Sequence, residues 1–420
     1  MTQESYHIIQ RLMDKGVRIP CPNSIQVGPE VNPDRISGKG VVIHTGCKIY
    51  GSQTLIMDGC ELGTEGPATI TNCQLGRGVK LAAGSFKESC FLDGASMGPG
   101  AQVRECCLLE EGARGAHTVG LKHTILFPFV TLGSLINFCD CLMAGGTDEK
   151  NHSEVGSSYI HFNYTPDQDK ATASLIGDVP RGVMLNQPPI FLGGQGGIVG
   201  PVRITYGVVA AAGTIVRKDI LEQDTVLLGH PSVPKRLPRH FGLYANVRRI
   251  IELNSLYIAN LIALRRWYLE VRPLFLSSSP MEKALCIGGL DKIERAIRER
   301  VKRLGEVASR METSIGLYQK TGAAHQAAVE RKREFQKNWP RVEEAFEECL
   351  HISGKAAHYQ VFRSALEQGI KEKGVDYLSV IKGLGPAACS EGTRWLEGIV
   401  DEVMEKVWAC LPGFRPGRRK

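Results

Sequence analysis

Two histidines and a polar insert make one stretch, Asn151 to Ile220, the part of the chain best suited to chemistry. Histidine is the side chain whose ordinary pKa lies nearest neutrality, so His152 and His161 are both candidate general bases. His161 lies between two apolar residues, Ile160 and Phe162. If those two point into a core, alternation turns His161 outward into a groove. His152 follows an acidic run, which favours an exposed loop, and a purely structural role remains open for both.

The insert after His161 adds Asn163, Tyr164 and Lys170. An amide and a phenol can orient an acceptor molecule, and an ammonium group can bind a phosphate. The plainer interpretations are polar corner residues and a surface charge. Cys139 and Cys141 precede these residues, but no CxxC pair completes a tetrahedral set, so the sequence predicts no metal site.

Apolar residues recur every six positions over the first half of the chain. Two series, offset by two residues, show it best: Ala95, Ala101, Cys107, Ala113 and Met97, Val103, Leu109. This period fits neither an α-helix nor an ordinary alternating strand. It is typical of a parallel β-helix, in which three hexapeptides complete one coil and glycine turns the corners.

The composition changes after Phe241, where glycine thins out and apolar residues take helical spacing from Val247 to Leu264. Further helices are predicted near 281–318, 323–350, 356–372 and 390–410. We therefore expect four parts: a helix and lead-in over 1–24, a β-helix with loop inserts over 25–238, a helical domain over 239–412, and a basic tail over 413–420.

Composition narrows the class of protein. The chain has 420 residues, 47 glycines, 7% aromatic residues and a net charge of +7. No basic groove interleaved with aromatic residues or zinc-finger spacing points to nucleic acid, and no apolar run suits a membrane span. The first residues lack the features of a signal peptide, and the 13 cysteines are an odd number. We expect a cytoplasmic protein with reduced thiols, the five at Cys47, Cys60, Cys73, Cys90 and Cys107 being core residues.

The span from Glu154 to Arg236 resembles the left-handed β-helix, or hexapeptide-repeat, acyltransferases. It is most similar to the acetyltransferase domain of the bifunctional UDP-N-acetylglucosamine pyrophosphorylase/glucosamine-1-phosphate acetyltransferases. The matching segments are EVGSSYIHFNY, SLIGD, IFLGGQGGIVGPVRITYG and VVAAAGTIVRKDI. The resemblance implies a left-handed parallel β-helix, a homotrimer, and acetyl-CoA bound along a groove between coils.

The resemblance also implies roles for individual residues. Asn163 and Tyr164 would line the acceptor and acyl pocket, and Lys170 would contact a sugar phosphate or sugar nucleotide. The residues implied for coenzyme A are the small Gly194 and Ala212, with His230, Lys235 and Arg236 near its phosphates.

Three departures from the family pattern are visible. The catalytic histidine of the family stands in an HLxYLG-like motif that is absent here, and an ungapped extension reaches Asp140 instead. Gly194 replaces a serine. No GxGTRM-like loop is present, so nucleotidyltransferase activity is not expected.

These observations support a coenzyme A-dependent acyltransferase, acting on a sugar phosphate or sugar nucleotide, with His161 as base and His152 as second candidate. The alternative is a non-catalytic trimeric scaffold or ligand sensor whose helical domain binds a partner protein. A zinc hydratase of the γ-carbonic anhydrase type uses the same prism, but it needs three histidines in a pattern that this sequence matches poorly.

Overall fold

The computed structural model describes residues 3–163, 165, 167, 169–229, 241–244, 246–320 and 326–416. Short parallel strands wind into a solenoid over the first half of the chain, and helices follow. The predicted architecture of a parallel β-helix and an all-α region is therefore confirmed.

The strands as far as the candidate site are β1 Gln26–Val27, β2 Val42–Ile43, β3 Lys48–Tyr50, β4 Leu55–Ile56, β5 Glu61–Leu62, β6 Ala68–Thr71, β7 Gln74–Leu75, β8 Lys80–Leu81, β9 Gly84–Lys87, β10 Cys90–Phe91, β11 Ser96–Met97, β12 Ala101–Val103, β13 Leu108–Leu109, β14 Arg114–Gly115, β15 Gly120–Leu126, β16 Thr131–Leu132 and β17 Asn137–Met143. The later strands are β18 Gly146–Asp148, β19 Asn151–His152, β20 Glu154–Val155, β21 Ile160–Phe162, β22 Ser174–Ile176, β23 Phe191–Leu192, β24 Gly197–Val199, β25 Arg203–Ile204, β26 Val209–Ala210, β27 Ile215–Val216 and β28 Val226–Leu227.

The solenoid has three faces. The first face has the strand order β2-β5-β8-β11-β14-β16-β20-β23-β26-β28, and the second runs β1-β3-β6-β9-β12-β15-β17-β21-β24-β27. The third face contains β4-β7-β10-β13, then the carboxyl ends of β15 and β17, then β22 and β25. β15 and β17 therefore bend round the corner between the second and third faces.

The solenoid core is built from register-matched ladders of mainly apolar side chains. On the second face, one inward ladder is Val103, Leu121, Phe138, His161, Ile198 and Val216. All five predicted core cysteines are fully buried, and all 13 thiols are free. At one corner of successive coils the chain turns through left-handed backbone, a conformation that favours glycine. The residues there are Gly59, Gly78, Gly94 and Gly112.

A short helix, α1 (Gln3–Asp14), covers the first coil, and its Ser5 hydroxyl donates to the Val27 carbonyl at 2.6 Å. A one-turn helix, α2, lies between β22 and β23, and the other helices follow the solenoid. Their bounds are α2 Val179–Gly182, α3 Val247–Glu270, α4 Pro280–Ser309, α5 Met311–Lys320, α6 Gln326–Cys349, α7 Ala356–Lys373, α8 Tyr377–Lys382 and α9 Pro386–Cys410. Among the described helices, none combines the length and apolarity that a bilayer crossing requires.

Helix α4 lies across the third face and contacts successive coils. Glu282 near its start pairs with Arg77, Arg295 pairs with Glu88 at 2.5 Å, and further along the helix Arg300 pairs with Asp140 at 2.7 Å. Because residues further along α4 pair with residues of later coils, α4 runs in the direction in which the coils are stacked.

The outward ladder of the first face changes character along the solenoid. Glu61, Lys80, Ser96, Arg114, Thr131 and Glu154 are polar, whereas Phe191, Val209 and Val226 in the same ladder are apolar and exposed. Ile160, Phe162 and Ile215 are likewise exposed on the second face. The last coils therefore carry an apolar belt on two adjacent faces.

Candidate active site

His161 points into the solenoid, so the predicted outward orientation is wrong. Its side chain is 2% exposed, whereas Ile160 and Phe162 are 39% and 40% exposed. The alternation was correctly predicted, but its phase was inverted: Tyr159 and His161 take the inward positions. The edge of the His161 ring meets Phe138 with 6.4 Å between centroids, and its Nε2 lies 2.8 Å from the Ser174 hydroxyl.

Burial makes His161 a poor base for a bound substrate. It lowers the pKa of His161 to about 4, and the nearby Asp140 carboxylate opposes that change only in part. The Nδ1 atom makes no hydrogen bond of standard geometry with the described residues, and a backbone contact with Cys139 also opposes the lowering of the pKa. A neutral imidazole enclosed in the core cannot reach a substrate bound outside the coils, so His161 is a core residue.

A different pair occupies the corner between the second and third faces. His123 (φ 48°) and Asp140 (φ 59°) both adopt left-handed backbone at the bends of β15 and β17. The flanking residues pair in register, Lys122 with Cys139 and Thr124 with Cys141, so His123 and Asp140 stack in neighbouring coils. His123 Nδ1 lies 3.2 Å from Asp140 Oδ1.

Asp140 is the centre of this cluster. It is 3% exposed, and burial alone would raise its pKa, yet the Arg300 guanidinium and the His123 contact hold that pKa at about 2. An ionised carboxylate only accepts hydrogen bonds, so His123 must donate from Nδ1. Its Nε2 is then left as the basic nitrogen.

The structure brings two of the predicted substrate-binding residues to the same corner. Asn163 Nδ2 lies 3.4 Å from Asp140 Oδ2, and the Lys170 carbonyl accepts a hydrogen bond of 3.1 Å from Arg300. The Lys170 side chain itself is exposed. The insert after β21 therefore packs where the bend of β17 meets helix α4.

A cavity of about 530 Å³ opens beside His123. Its lining is rich in cations from the solenoid and from α4, with two carboxylates and one thiol: Lys122, Arg295, Arg298, Lys302, Arg303, Glu105, Glu299 and Cys106. Glu105 pairs with Lys122 at 2.8 Å and Glu299 with Arg303 at 2.6 Å. Arg298 and Lys302 have no ion-pair partner in the described part of the chain, so the cavity has a positive excess.

His152, Gly194 and Ala212 do not join this corner. His152 belongs to the β18–β19 hairpin, where its Nδ1 lies 2.8 Å from the Glu149 carbonyl. Gly194 and Ala212 lie on neighbouring coils near the bend between the first and second faces, where the Gly213 amide donates to the Gly194 carbonyl. Tyr164, His230, Lys235 and Arg236 lie outside the described residues.

Sequence reasoning missed His123, Arg298, Arg300 and Lys302. The sequence did give one indication of this corner, because an ungapped extension of the family resemblance reached Asp140. His123 lies one coil before Asp140. The bend at Asp140 separates Cys139, which is partly exposed, from Cys141, which is buried. Over the described residues, no group of His, Cys, Asp and Glu is arranged to hold a metal ion.

Comparison with known proteins supports the resemblance seen in the sequence. The chain is 26% identical over 215 residues to the bifunctional protein GlmU of Thermotoga petrophila, covering 50% of this chain and 42% of that protein. It is 28% identical over 222 residues to GlmU of Fervidobacterium nodosum, 53% and 43% of the two chains. GlmU of Oleidesulfovibrio alaskensis is 24% identical over 235 residues, 56% and 46% of the two.

The chain thus spans less than half the length of these curated relatives. No protein-family model matches it. The similarity and the parallel solenoid together confirm the resemblance to hexapeptide-repeat acyltransferases.

Proposed function

We propose that this protein is a coenzyme A-dependent acyltransferase whose acceptor is a sugar carrying a phosphate group, as a sugar phosphate or a sugar nucleotide. One observation carries the proposal: an imidazole oriented by a buried carboxylate faces a cation-lined cavity on an acyltransferase-type solenoid. His123 takes the role that the sequence had suggested for His161.

The proposed reaction transfers an acyl group from a thioester to an acceptor amine or hydroxyl. His123 Nε2 removes the acceptor proton as the nucleophile attacks the thioester carbonyl. The tetrahedral intermediate expels the thiolate, which takes the proton back from His123, so the enzyme ends unchanged. Asp140 holds the imidazole in the required tautomer and stabilises the imidazolium between these steps.

The charge of the cavity suits a phosphate-bearing acceptor. A phosphate monoester carries between one and two negative charges near neutral pH and accepts several charge-assisted hydrogen bonds. Arg298 and Lys302 are spaced four apart on α4, and they remain available because no described carboxylate pairs with them.

The helical region has a defined part in this proposal. Arg300 of α4 keeps Asp140 ionised, and the neighbouring cations of the same helix line the acceptor cavity. This use of α4 favours an enzyme over the alternative of a scaffold whose helices serve only a partner protein.

A homotrimer is part of the proposal. The apolar belt on the last coils supports it, because large apolar patches on an otherwise polar surface mark association sites. Packing three solenoids through this belt would cover Phe191, Val209, Val226, Ile160 and Ile215.

The test is acyl transfer by the purified full chain from acetyl-CoA to a panel of amino-sugar phosphates and sugar nucleotides. The rate is measured from the release of the coenzyme A thiol. Replacing His123 by Gln is expected to lower kcat by a factor of about 10² to 10⁴, the usual contribution of a general base. His152→Gln is the matched control, because this histidine lies on a surface hairpin.

Wild-type activity that survives His123→Gln unchanged would remove His123 from the mechanism. Absence of both transfer and coenzyme A binding in the wild type would refute the function and favour the scaffold.

A further inference from the structure

A second cavity, of about 480 Å³, lies where the solenoid meets the helical region. The solenoid contributes residues just after β7, β10 and β13. The helical region contributes the segment between α3 and α4, the start of α4 and the start of α8. The cavity shares no lining residue with the one at His123. Its volume is within the range of roughly 300 to 1,000 Å³ that is typical of small-molecule sites.

Part of the lining is apolar. Leu92 of the solenoid and Leu285 of α4 are buried against it, and Phe275 is 9% exposed. The Phe275 ring meets the Tyr377 ring edge-on, with 5.2 Å between centroids. These side chains form a surface against which a hydrocarbon group of a ligand can pack.

The charged groups of the lining are unbalanced, with four carboxylates and two guanidinium groups. The carboxylates are Asp93, Glu111, Glu282 and Asp376, and the cations are Arg77 and Arg272. Arg77 pairs with Asp93 and Glu282, and Arg272 pairs with Glu111. In the described part of the chain Asp376 forms no ion pair, and one of its oxygens accepts from the Ser379 amide at 2.8 Å. The cavity therefore has a negative excess, which favours a cation.

Asp93 shows the effect of this excess. Burial is the largest influence on its carboxyl group and raises the pKa. The Arg77 amide donates to Asp93 at 2.7 Å, and the Arg77 guanidinium lies 3.5 Å away, but these contacts do not restore the usual pKa. A ligand ammonium group beside Asp93 would stabilise its ionised form.

Arg272 offers a donor that the protein leaves unused. This residue is 7% exposed, and its guanidinium carbon lies 3.8 Å from the centroid of the Tyr377 ring. Its terminal nitrogens donate to Glu110 and Glu111, whereas its Nε makes no hydrogen bond of standard geometry with any residue that the structure describes. A buried donor without an acceptor is costly, and a ligand oxygen can supply the acceptor. An uncharged oxygen suits this place, because two carboxylates already surround the guanidinium.

We infer that this cavity binds a small organic amine, in which an apolar body carries an ammonium group and an uncharged oxygen. The ammonium group lies among the carboxylates, the oxygen accepts from Arg272, and the body packs against the apolar part of the lining. The inference goes beyond the proposed function, because this site is separate from the cavity at His123 and holds whether or not the solenoid transfers acyl groups.

The experiment uses L-leucinol, which carries all three groups, and N-acetyl-L-leucinol, which lacks the positive charge. Each is titrated into the full chain by calorimetry at neutral pH. Asp93→Asn and Asp376→Asn remove one charge each and keep an oxygen that accepts from the neighbouring backbone amide. Asp401→Asn is the matched control, because this exposed carboxylate of α9 lies outside the cavity. Far-UV circular dichroism and the thermal midpoint verify folding.

A second measurement locates the ligand without any substitution. Cys286 lines the cavity and is partly exposed, so its alkylation reports whether the cavity is occupied. The rate of reaction with N-ethylmaleimide is followed at each thiol by mass spectrometry, with and without L-leucinol. Cys21, which is exposed outside the cavity, is the internal control.

We expect L-leucinol to bind about tenfold more tightly than N-acetyl-L-leucinol, because charge-assisted hydrogen bonds are lost with the charge. Asp93→Asn and Asp376→Asn should each weaken binding by about twofold to fivefold, the size expected of a partly exposed ion pair. Asp401→Asn should match the wild type. L-leucinol should slow the alkylation of Cys286 and leave that of Cys21 unchanged.

The opposite results overturn the inference. Absence of L-leucinol binding, or equal affinity for the acetylated compound, removes the amine site. Binding that leaves the Cys286 rate unchanged places the amine elsewhere on the protein, and an equal loss of affinity in Asp401→Asn shows a general charge effect. None of these measurements involves acyl transfer, so each of these failures leaves the proposed function standing.

Discussion

Replacing His161 by Leu tests the inward orientation of this residue through its effect on acid stability. Leucine suits the ladder between Phe138 and Ile198, and it removes the Nδ1 atom, which makes no hydrogen bond of standard geometry within the described part of the chain. Ser174 keeps its two other contacts, a 3.1 Å hydrogen bond from the Val202 amide and one of 3.5 Å to the Thr172 carbonyl. The substitution should therefore be neutral or mildly stabilising at pH 7.

The magnitude follows from the pKa of the buried imidazole. Burial lowers it from 6.5 to about 4. Since a tenfold change in proton affinity is worth about 1.4 kcal/mol, the effect is on the order of 3 kcal/mol. The folded-state pKa is depressed, so this stability is present above pH 6.5 and is lost as the pH falls through 4.

The assay is urea unfolding of the wild type and His161→Leu at several pH values between 7.5 and 4. Many carboxylates also titrate there, so the difference between the two proteins isolates His161. The gap should widen in favour of leucine as the pH falls, by about 3 kcal/mol at full effect. His152→Leu is the control for replacing a histidine that lies outside the inward ladders.

Parallel pH curves for the wild type and His161→Leu would refute the burial argument. The same variant tests the chemistry, because a core residue can be replaced without loss of turnover. A folded His161→Leu protein with turnover reduced a hundredfold would restore His161 as a candidate base.

Two further predictions concern the helical region and the assembly. Arg300→Met leaves the Asp140 carboxylate buried without its guanidinium partner, so it should lower the free energy of unfolding, measured by chemical denaturation, by about 3 to 5 kcal/mol. Replacing the exposed Arg298 by Met should change that free energy by less than about 0.5 kcal/mol. Equal effects of the two substitutions would contradict the ion-pair argument. Light scattering should give three times the chain mass of 46.0 kDa, and Val209→Glu should shift it toward the monomer while Thr131→Glu, on the polar part of the same ladder, leaves it unchanged. A monomeric wild type would contradict the proposed trimer.

The repeat made the solenoid predictable, because small inward residues at a six-residue period suit neither an α-helix nor a strand of ordinary length. The phase of the repeat was not predictable beyond residue 143. The β18–β19 hairpin interrupts the coils, so the phase of Ala101 and Val103 did not carry across to Tyr159 and His161. Local apolarity then pointed the wrong way, since Ile160 and Phe162 are among the apolar residues exposed on the last coils.

The candidate site depends on contacts that no local pattern contains. Arg300 reaches Asp140 across 160 positions of sequence, and His123 meets Asp140 only because both stand at the same corner. Asn163 and Lys170 could be named as candidates because they lie in the insert that the family resemblance covers, and their roles in binding remain predictions. The cations of α4 have the pattern of a solvated helix face, and only the packing of that helix against the third face gives them a cavity to line.

Helix α4 also changes how the coils depend on one another. In a plain solenoid each repeat contacts only its neighbours, so its ends can fray one repeat at a time. A helix that pairs with coils at Arg77, Glu88 and Asp140 ties non-adjacent repeats together. We expect those coils to unfold as one cooperative block, so that the corner at His123 and Asp140 is held in place by a helix that lies far from it in the sequence.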